Sequence, residues 1–297
     1  MSIDLPLVAS AFCYNSRVMV REFIPDTVEY PNTAIVMSNG FAGSVERSFG
    51  LAAQEIAQLS GALVLAYDRV GTGNRTVFSL HLRNQLRPNR VVQRAASTGQ
   101  VIAARMDPAI QNVVSFGHSG ASTEAIALTL SETLPVVGLG LSEPVGIQKV
   151  HPVRGMAKEL WYDYKNERPE RRAQPPETPK VKEAETARHQ KIGKTALEIF
   201  YYSALWPTTF GLDGLQKIGR DNPDIAVYVA FANPSLNGDE KLIESIVDRM
   251  SRFRHLTLNK PMKAETWPGT LHSAFDKPAI ATKVIRRTIE LAGLSPR

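Results

Sequence analysis

The sequence of 297 residues predicts an α/β protein: a mostly parallel central sheet, helices on both of its faces, and an inserted helical cap. Three observations predict it. Short, continuous apolar runs of strand length alternate with stretches whose apolar residues recur every three or four positions. That is the pattern of fully covered parallel strands joined by amphipathic helices. One of the runs, residues 113–116, passes directly into Gly117-His118-Ser119-Gly120-Ala121 at the head of a helix-forming stretch. The alternation then stops after about Gly146 and resumes at Ile225.

The elements follow in order. Residues 17–23 read as an early strand and 25–32 as a turn-rich connection. Residues 33–37 form a compact buried strand that ends in the Gly-rich loop Ser38-Asn39-Gly40-Phe41-Ala42-Gly43-Ser44. A helix with Phe49, Ala52, Ala53 and Ile56 on one face follows, stopped by Gly61. Residues 62–67 are the next buried strand, running into Asp68-Arg69-Val70-Gly71-Thr72-Gly73, where Asp68 and Arg69 read as a structural turn. Residues 76–90 are polar and basic and read as loop with a short helix. Val92, Ala95, Ala96, Gly99, Ile102 and Ala103 mark one stripe of a helix. After the strand that leads to Ser119, an Ala- and Leu-rich helix runs from Ala121 to Leu134, where Pro135 stops it. Its small residues suit close packing on a sheet. Residues 136–141 are another buried strand, ending at Ser142-Glu143-Pro144.

Residues 147–222 hold no convincing buried strand. They contain a stretch rich in charge and proline, 164–182, flanked by aromatic helical patterns around Leu160, Trp161 and Tyr164 and around Leu197, Phe200, Tyr201 and Ala204. The expected organisation is therefore core over 1–146, cap over 147–222 and core again over 223–297. In the last part, residues 225–231 are a strand and 232–238 a loop. A helix with Leu242, Ile243, Ile246, Val247 and Met250 facing inward comes next, then 254–258 as a last short strand. Residues 267–273 read as a loop, and a final helix carries Ala281, Val284, Ile285 and Thr288 and ends near Gly293.

Composition narrows the function. The formal charge is +6, but acids and bases are mixed along the chain, and no basic helix or aromatic-basic ribbon stands out. A nucleic-acid partner is not expected. No apolar run reaches about 18 residues, so no membrane span is expected. The N-terminal ten residues lack a basic segment followed by an apolar one, and a cytoplasmic protein is expected. The single cysteine, Cys13, leaves no disulfide framework and no cysteine metal cluster. There is no His-Glu-x-x-His, and Gly71-Thr72-Gly73 lacks the third glycine of a dinucleotide fingerprint. The sequence predicts no metal and no cofactor.

The chemistry centres on Ser119. Gly117-His118-Ser119-Gly120-Ala121 is one small substitution from Gly-x-Ser-x-Gly. A sharp strand-to-helix turn lifts a serine clear of the sheet, and only small residues fit two positions to either side. Gly117 and Ala121 occupy those positions. The following helix directs its free N–H groups toward the reacting oxygen.

Four pieces together resemble the α/β-hydrolase superfamily: the loop at Ser38–Gly43, residues 67–73, the turn at Ser119, and Gly269-Thr270-Leu271-His272-Ser273 before the last helix. The likeness covers most of residues 12–146 and 222–293. It implies a serine hydrolase of a small acyl substrate, an ester or a thioester. Ser119 would be the nucleophile, His272 its base, and the backbone N–H groups of Phe41 and Gly120 the oxyanion hole. It implies a packing role for His118. Asn39 stands where the superfamily usually has histidine. The acid is the departure. The usual place, just after the strand at 225–231, aligns with Ser235, which does not ionise. Glu143, at the end of the strand that follows the Ser119 helix, and Asp239, at the start of the next helix, are the two candidates. Haloalkane dehalogenases carry a glutamate at a place similar to that of Glu143. A Ser-His pair without any acid also stays open. So do two other readings of the same fold: a ligand-binding protein without turnover, and related triad chemistries such as acyl transfer, haloperoxidation or C–C hydrolysis.

Overall fold

A computed structural model describes residues 11–13, 16–38, 48–68, 91–144, 210–233, 262–268 and 277–297. Strands β1 (Ala11–Cys13) and β2 (Ser16–Val18) form a small antiparallel sheet of their own. Seven further strands make the main sheet: β3 (Val20–Phe23), β4 (Thr33–Ser38), β5 (Leu63–Tyr67), β6 (Asn112–His118), β7 (Val136–Ser142), β8 (Ala226–Asn233) and β9 (Met262–Pro268). Their order across the sheet is β3-β5-β4-β6-β7-β8-β9. Among the described strands of this sheet only β3 runs antiparallel to its neighbour; the other pairings are parallel. The mostly parallel sheet predicted from the apolar runs is the sheet observed.

Five described helices cover it: α1 (Ser48–Ser60), α2 (Val91–Ala103), α3 (Ala121–Leu130), α4 (Phe210–Asp221) and α5 (Pro278–Leu291). Strand residues alternate between the two helical layers, because successive side chains point to opposite faces. Ile35 and Met37 of β4, Val114 and Phe116 of β6, and Tyr228 and Ala230 of β8 pack with α1 and α5. Ala34, Val36 and Val113 pack with α2 and α3, and Val227, Val229 and Phe231 with α3 and α4. All six residues of β4 are buried, as a strand covered on both faces requires.

Two glycines of β7 set how close α5 lies. A Cβ at Gly138 would stand 3.0 Å from the Thr288 methyl carbon, and one at Gly140 would stand 2.6 Å from the Thr288 hydroxyl oxygen. Their bare backbone lets α5 rest on the strand directly beside β6.

The structure departs from the sequence reading in several places. The early strand is broken at Met19, whose carbonyl accepts the Asp68 N–H at 2.9 Å, so β2 and β3 are separate. The edge strand β9 occupies Met262–Pro268, so Trp267 and Pro268 are strand rather than loop. Met262 is buried, while Lys263 and Thr266 are exposed. An edge strand with that polarity gives no continuous apolar signal. The segment expected as the last strand, 254–258, lies outside the described residues. On α2 the buried stripe is Val91, Arg94, Ala95, Thr98, Gly99 and Ile102. It is rotated from the predicted one because Arg94 turns inward. Finally, Phe210–Asp221, at the end of the stretch read as cap, packs Leu215 and Ile218 against Ile126 of α3 and Leu139 of β7. It is a helix of the core layer; residues 145–209 lie outside those described.

Candidate active site

Ser119 stands where β6 ends and α3 begins, at the carboxyl edge of the parallel strands, where sheets of this kind bind ligands. Its backbone is left-handed, with φ 51°. A β-carbon crowds its own backbone there, at a cost of about 1–2 kcal/mol. The surroundings hold it. Ser119 N–H donates to the Ser142 carbonyl at 3.0 Å, and Ser122 N–H donates to the Ser119 carbonyl at 3.0 Å. The Ser122 hydroxyl donates to that same carbonyl. Thr123 Oγ1 donates to the Gly120 carbonyl at 2.9 Å.

The demand for small residues around the turn has a visible cause. A Cβ on Gly117 would lie 2.6 Å from the Ala121 carbonyl oxygen and 2.7 Å from the Ser122 Cα. Both obstacles are backbone, so neither can step aside. Gly120 caps α3 and already has helical dihedrals, φ −58° and ψ −26°.

Glu143 follows β7 immediately and is fully buried. Its backbone is also left-handed, with φ 47°, and its N–H donates to the Ala230 carbonyl of β8 at 2.8 Å. In the β6–β7 ladder His118 pairs with Ser142. Ser119 and Glu143 are therefore each the next residue after one cross-strand pair. The structure brings these two predicted residues, with Gly120, to one place.

His118, next to Ser119, turns its ring to β7. Its Nδ1 lies 3.2 Å from the Ser142 carbonyl oxygen and 3.2 Å from the Ser142 hydroxyl. The packing role implied for it comes with a polar contact. Ser142 is a residue that the sequence reading passed over; a serine closing an apolar strand carries no signal of its own.

A second feature missed in the sequence lies in the first turns of α2 and α3. Arg94 NH2 meets Glu124 Oε1 at 2.7 Å, with both side chains almost wholly buried. The available signal was Arg94 itself, which sits beside Ala95 and three residues after Val91 on the inward stripe.

Tyr228 of β8 donates its hydroxyl to Glu265 Oε2 at 2.7 Å and accepts Trp267 Nε1–H at 3.1 Å. Burial, and then the bond to Glu265, push the phenol well above its ordinary range. For Glu265, burial pulls upward, but the bonds from Lys263 and Tyr228 outweigh it and leave the carboxyl below its ordinary range. This cluster ties β9 to β8.

His272 itself falls in sequence between β9 and α5, outside the described residues. Asp239 and Phe41 lie outside them too, as do Asn39 and Ser235. No helix among the described residues is long and apolar enough to cross a membrane.

No protein-family model matches the sequence, and no curated protein matches it. Solved structures do. An epoxide hydrolase from Vigna radiata has 14% identity and a TM-score of 0.63, with 98% of this chain and 99% of that chain covered. A proline iminopeptidase from Mycobacterium smegmatis has 14% identity and a TM-score of 0.62 over 96% and 98%. A carboxyl esterase from Bacillus coagulans has 15% identity and a TM-score of 0.60 over 96% and 97%. The chain has the α/β-hydrolase fold.

Proposed function

We propose that the protein is a serine hydrolase of carboxylic esters or thioesters, working through Ser119, His272 and Glu143. The observation that carries this reading is Ser119 held at φ 51° on the strand-to-helix turn, one strand away from the buried Glu143. Residues held in such sparsely populated conformations cluster at active sites. Enzymes of the same fold in the comparisons include an esterase and an iminopeptidase.

In this reading His272 takes the Ser119 proton as Oγ attacks the acyl carbon. The tetrahedral oxyanion is met by the N–H groups of Gly120 and Phe41, preorganised donors where charge develops. Collapse expels the alcohol or thiol, which takes the proton from His272. Water, deprotonated by His272, then hydrolyses the acyl-Ser119 ester and releases the acid. Glu143 orients the imidazole and stabilises its protonated form. The register supports Glu143 over Asp239: Glu143 follows Ser142, the cross-strand partner of the residue before Ser119. Residues 147–209 would supply a cap that shapes the acyl pocket, and the setting would be cytoplasmic.

The test is fluorophosphonate labelling with peptide mapping, alongside turnover of short-chain aryl esters and thioesters. An adduct on Ser119, lost with all turnover in Ser119→Ala, is the expected result. A folded wild type that binds acyl compounds without adduct or turnover would make it a binding protein on this fold instead.

A further inference from the structure

We propose that His118 and Ser142 form a cross-strand brace that fixes the spacing of Ser119 and Glu143, so that both act as positioning residues. The inference rests on the reading of Ser119 as nucleophile and Glu143 as acid.

The two braced residues are the covalent neighbours of the two functional ones. His118 and Ser142 form the last pair of the β6–β7 ladder. Beyond that pair both chains leave the strand conformation, at φ 51° and 47°. The Ser119 N–H bond to the Ser142 carbonyl carries this rung to the residue next to Glu143, so how firmly the rung is set bears on the spacing of Ser119 and Glu143.

Contacts converge there on Ser142. Its carbonyl accepts the Ser119 N–H at 3.0 Å, and the His118 Nδ1 lies 3.2 Å from both that carbonyl and the Ser142 hydroxyl. One histidine ring thus spans the two strands at the level where the site begins. His118 is 8% exposed and Ser142 not at all. Burying two polar side chains is unfavourable unless they are bonded. An apolar pair would fill the space as well. What it would lack is direction: a hydrogen bond weakens steeply as it tilts, so it resists the shear that dispersion contacts allow.

The brace needs a nitrogen at one place on the ring. Nδ1 is two bonds from Cβ, the same place as the amide nitrogen of asparagine. The glutamine amide lies one bond further out, nearer to Nε2. Packing alone would not distinguish the two amides in that order.

The experiment measures fluorophosphonate labelling of wild type, His118→Asn, His118→Gln and Ser142→Ala, separating the maximal labelling rate from probe affinity, with folding checked by circular dichroism. His118→Asn should stay within about twofold of wild type. His118→Gln and Ser142→Ala should lose about 3- to 10-fold in maximal rate, the effect of one misplaced hydrogen bond, with affinity unchanged. Equal losses in the asparagine and glutamine variants would overturn the brace, as would full rates in all three. If the histidine variants do not fold, Ser142→Ala decides alone, since it deletes a single oxygen; an unchanged rate then overturns the proposal. A wild type that is not labelled at Ser119 removes the nucleophile reading and the brace with it. Labelled wild type with indifferent variants removes the brace only.

Discussion

Ser119 and Glu143 each stand one residue beyond the His118–Ser142 pair of adjacent parallel strands, and both backbones turn left-handed there. Equal offset on neighbouring strands brings the two residues to the same edge of the sheet. With Glu143 as the proposed acid, Glu143→Gln should lower kcat by about 10⁴-fold, the loss seen when the acid of a serine triad becomes an amide. Asp239→Asn should leave it unchanged. Steady-state kinetics on the two variants separates the candidates.

The strain at Ser119 gives a prediction in which stability and activity move apart. Glycine accepts positive φ without penalty. Ser119→Gly should stabilise the fold by about 1 kcal/mol, or about 2–4 °C in Tm, while abolishing labelling. Calorimetry beside labelling checks both halves; a lower Tm would mean that the hydroxyl contributes more to the fold than the backbone loses.

The buried Arg94–Glu124 pair ties the first turn of α3 to α2. Removing one charge takes away the other's buried counter-charge. Glu124→Leu alone should destabilise by about 3–5 kcal/mol, and adding Arg94→Met should recover most of the loss. Urea unfolding of the single and double variants measures it. Failure of the second substitution to restore stability would show that Arg94 matters through more than this pair.

Tyr228 gives an alkaline signature. Its phenol is held above the ordinary range in the fold. In the unfolded chain it ionises at about pH 10. The unfolded state then releases a proton that the folded state keeps, so stability falls as pH rises. The contribution of Tyr228 is complete below about pH 10 and is lost above it. Tyr228→Phe should show a shallower decline in Tm between about pH 10 and pH 12 than wild type. A parallel decline would assign the loss to other groups.

Much of this molecule was readable one element at a time. The run at β4, the helix α1 with its stop at Gly61, and the stripe Ala281, Val284, Ile285 and Thr288 on α5 all appear as read. Each depends on local periodicity, which records how one segment divides between core and water. The turn at Ser119 was legible for a related reason: Gly117 reflects a clash with the backbone of Ala121 and Ser122, its near neighbours in the chain. Edge strand β9 was not legible, because a strand that keeps exposed polar side chains lacks that record. Nor was the inward turn of Arg94, whose partner lies 30 residues away on another helix.

The sequence by itself determined the α/β alternation and the small-residue turn at Ser119. Both kinds of information are local: hydrophobic period and steric fit are settled among residues close in the chain. Tertiary structure alone decided that Glu143 leaves its strand level with Ser119, that His118 and Ser142 join across their strands, and that Arg94 belongs inside. Strand order and register bring together residues 24 to 30 positions apart. That choice is made by packing of the whole sheet against its helices, an energy spread over many contacts that no single segment carries.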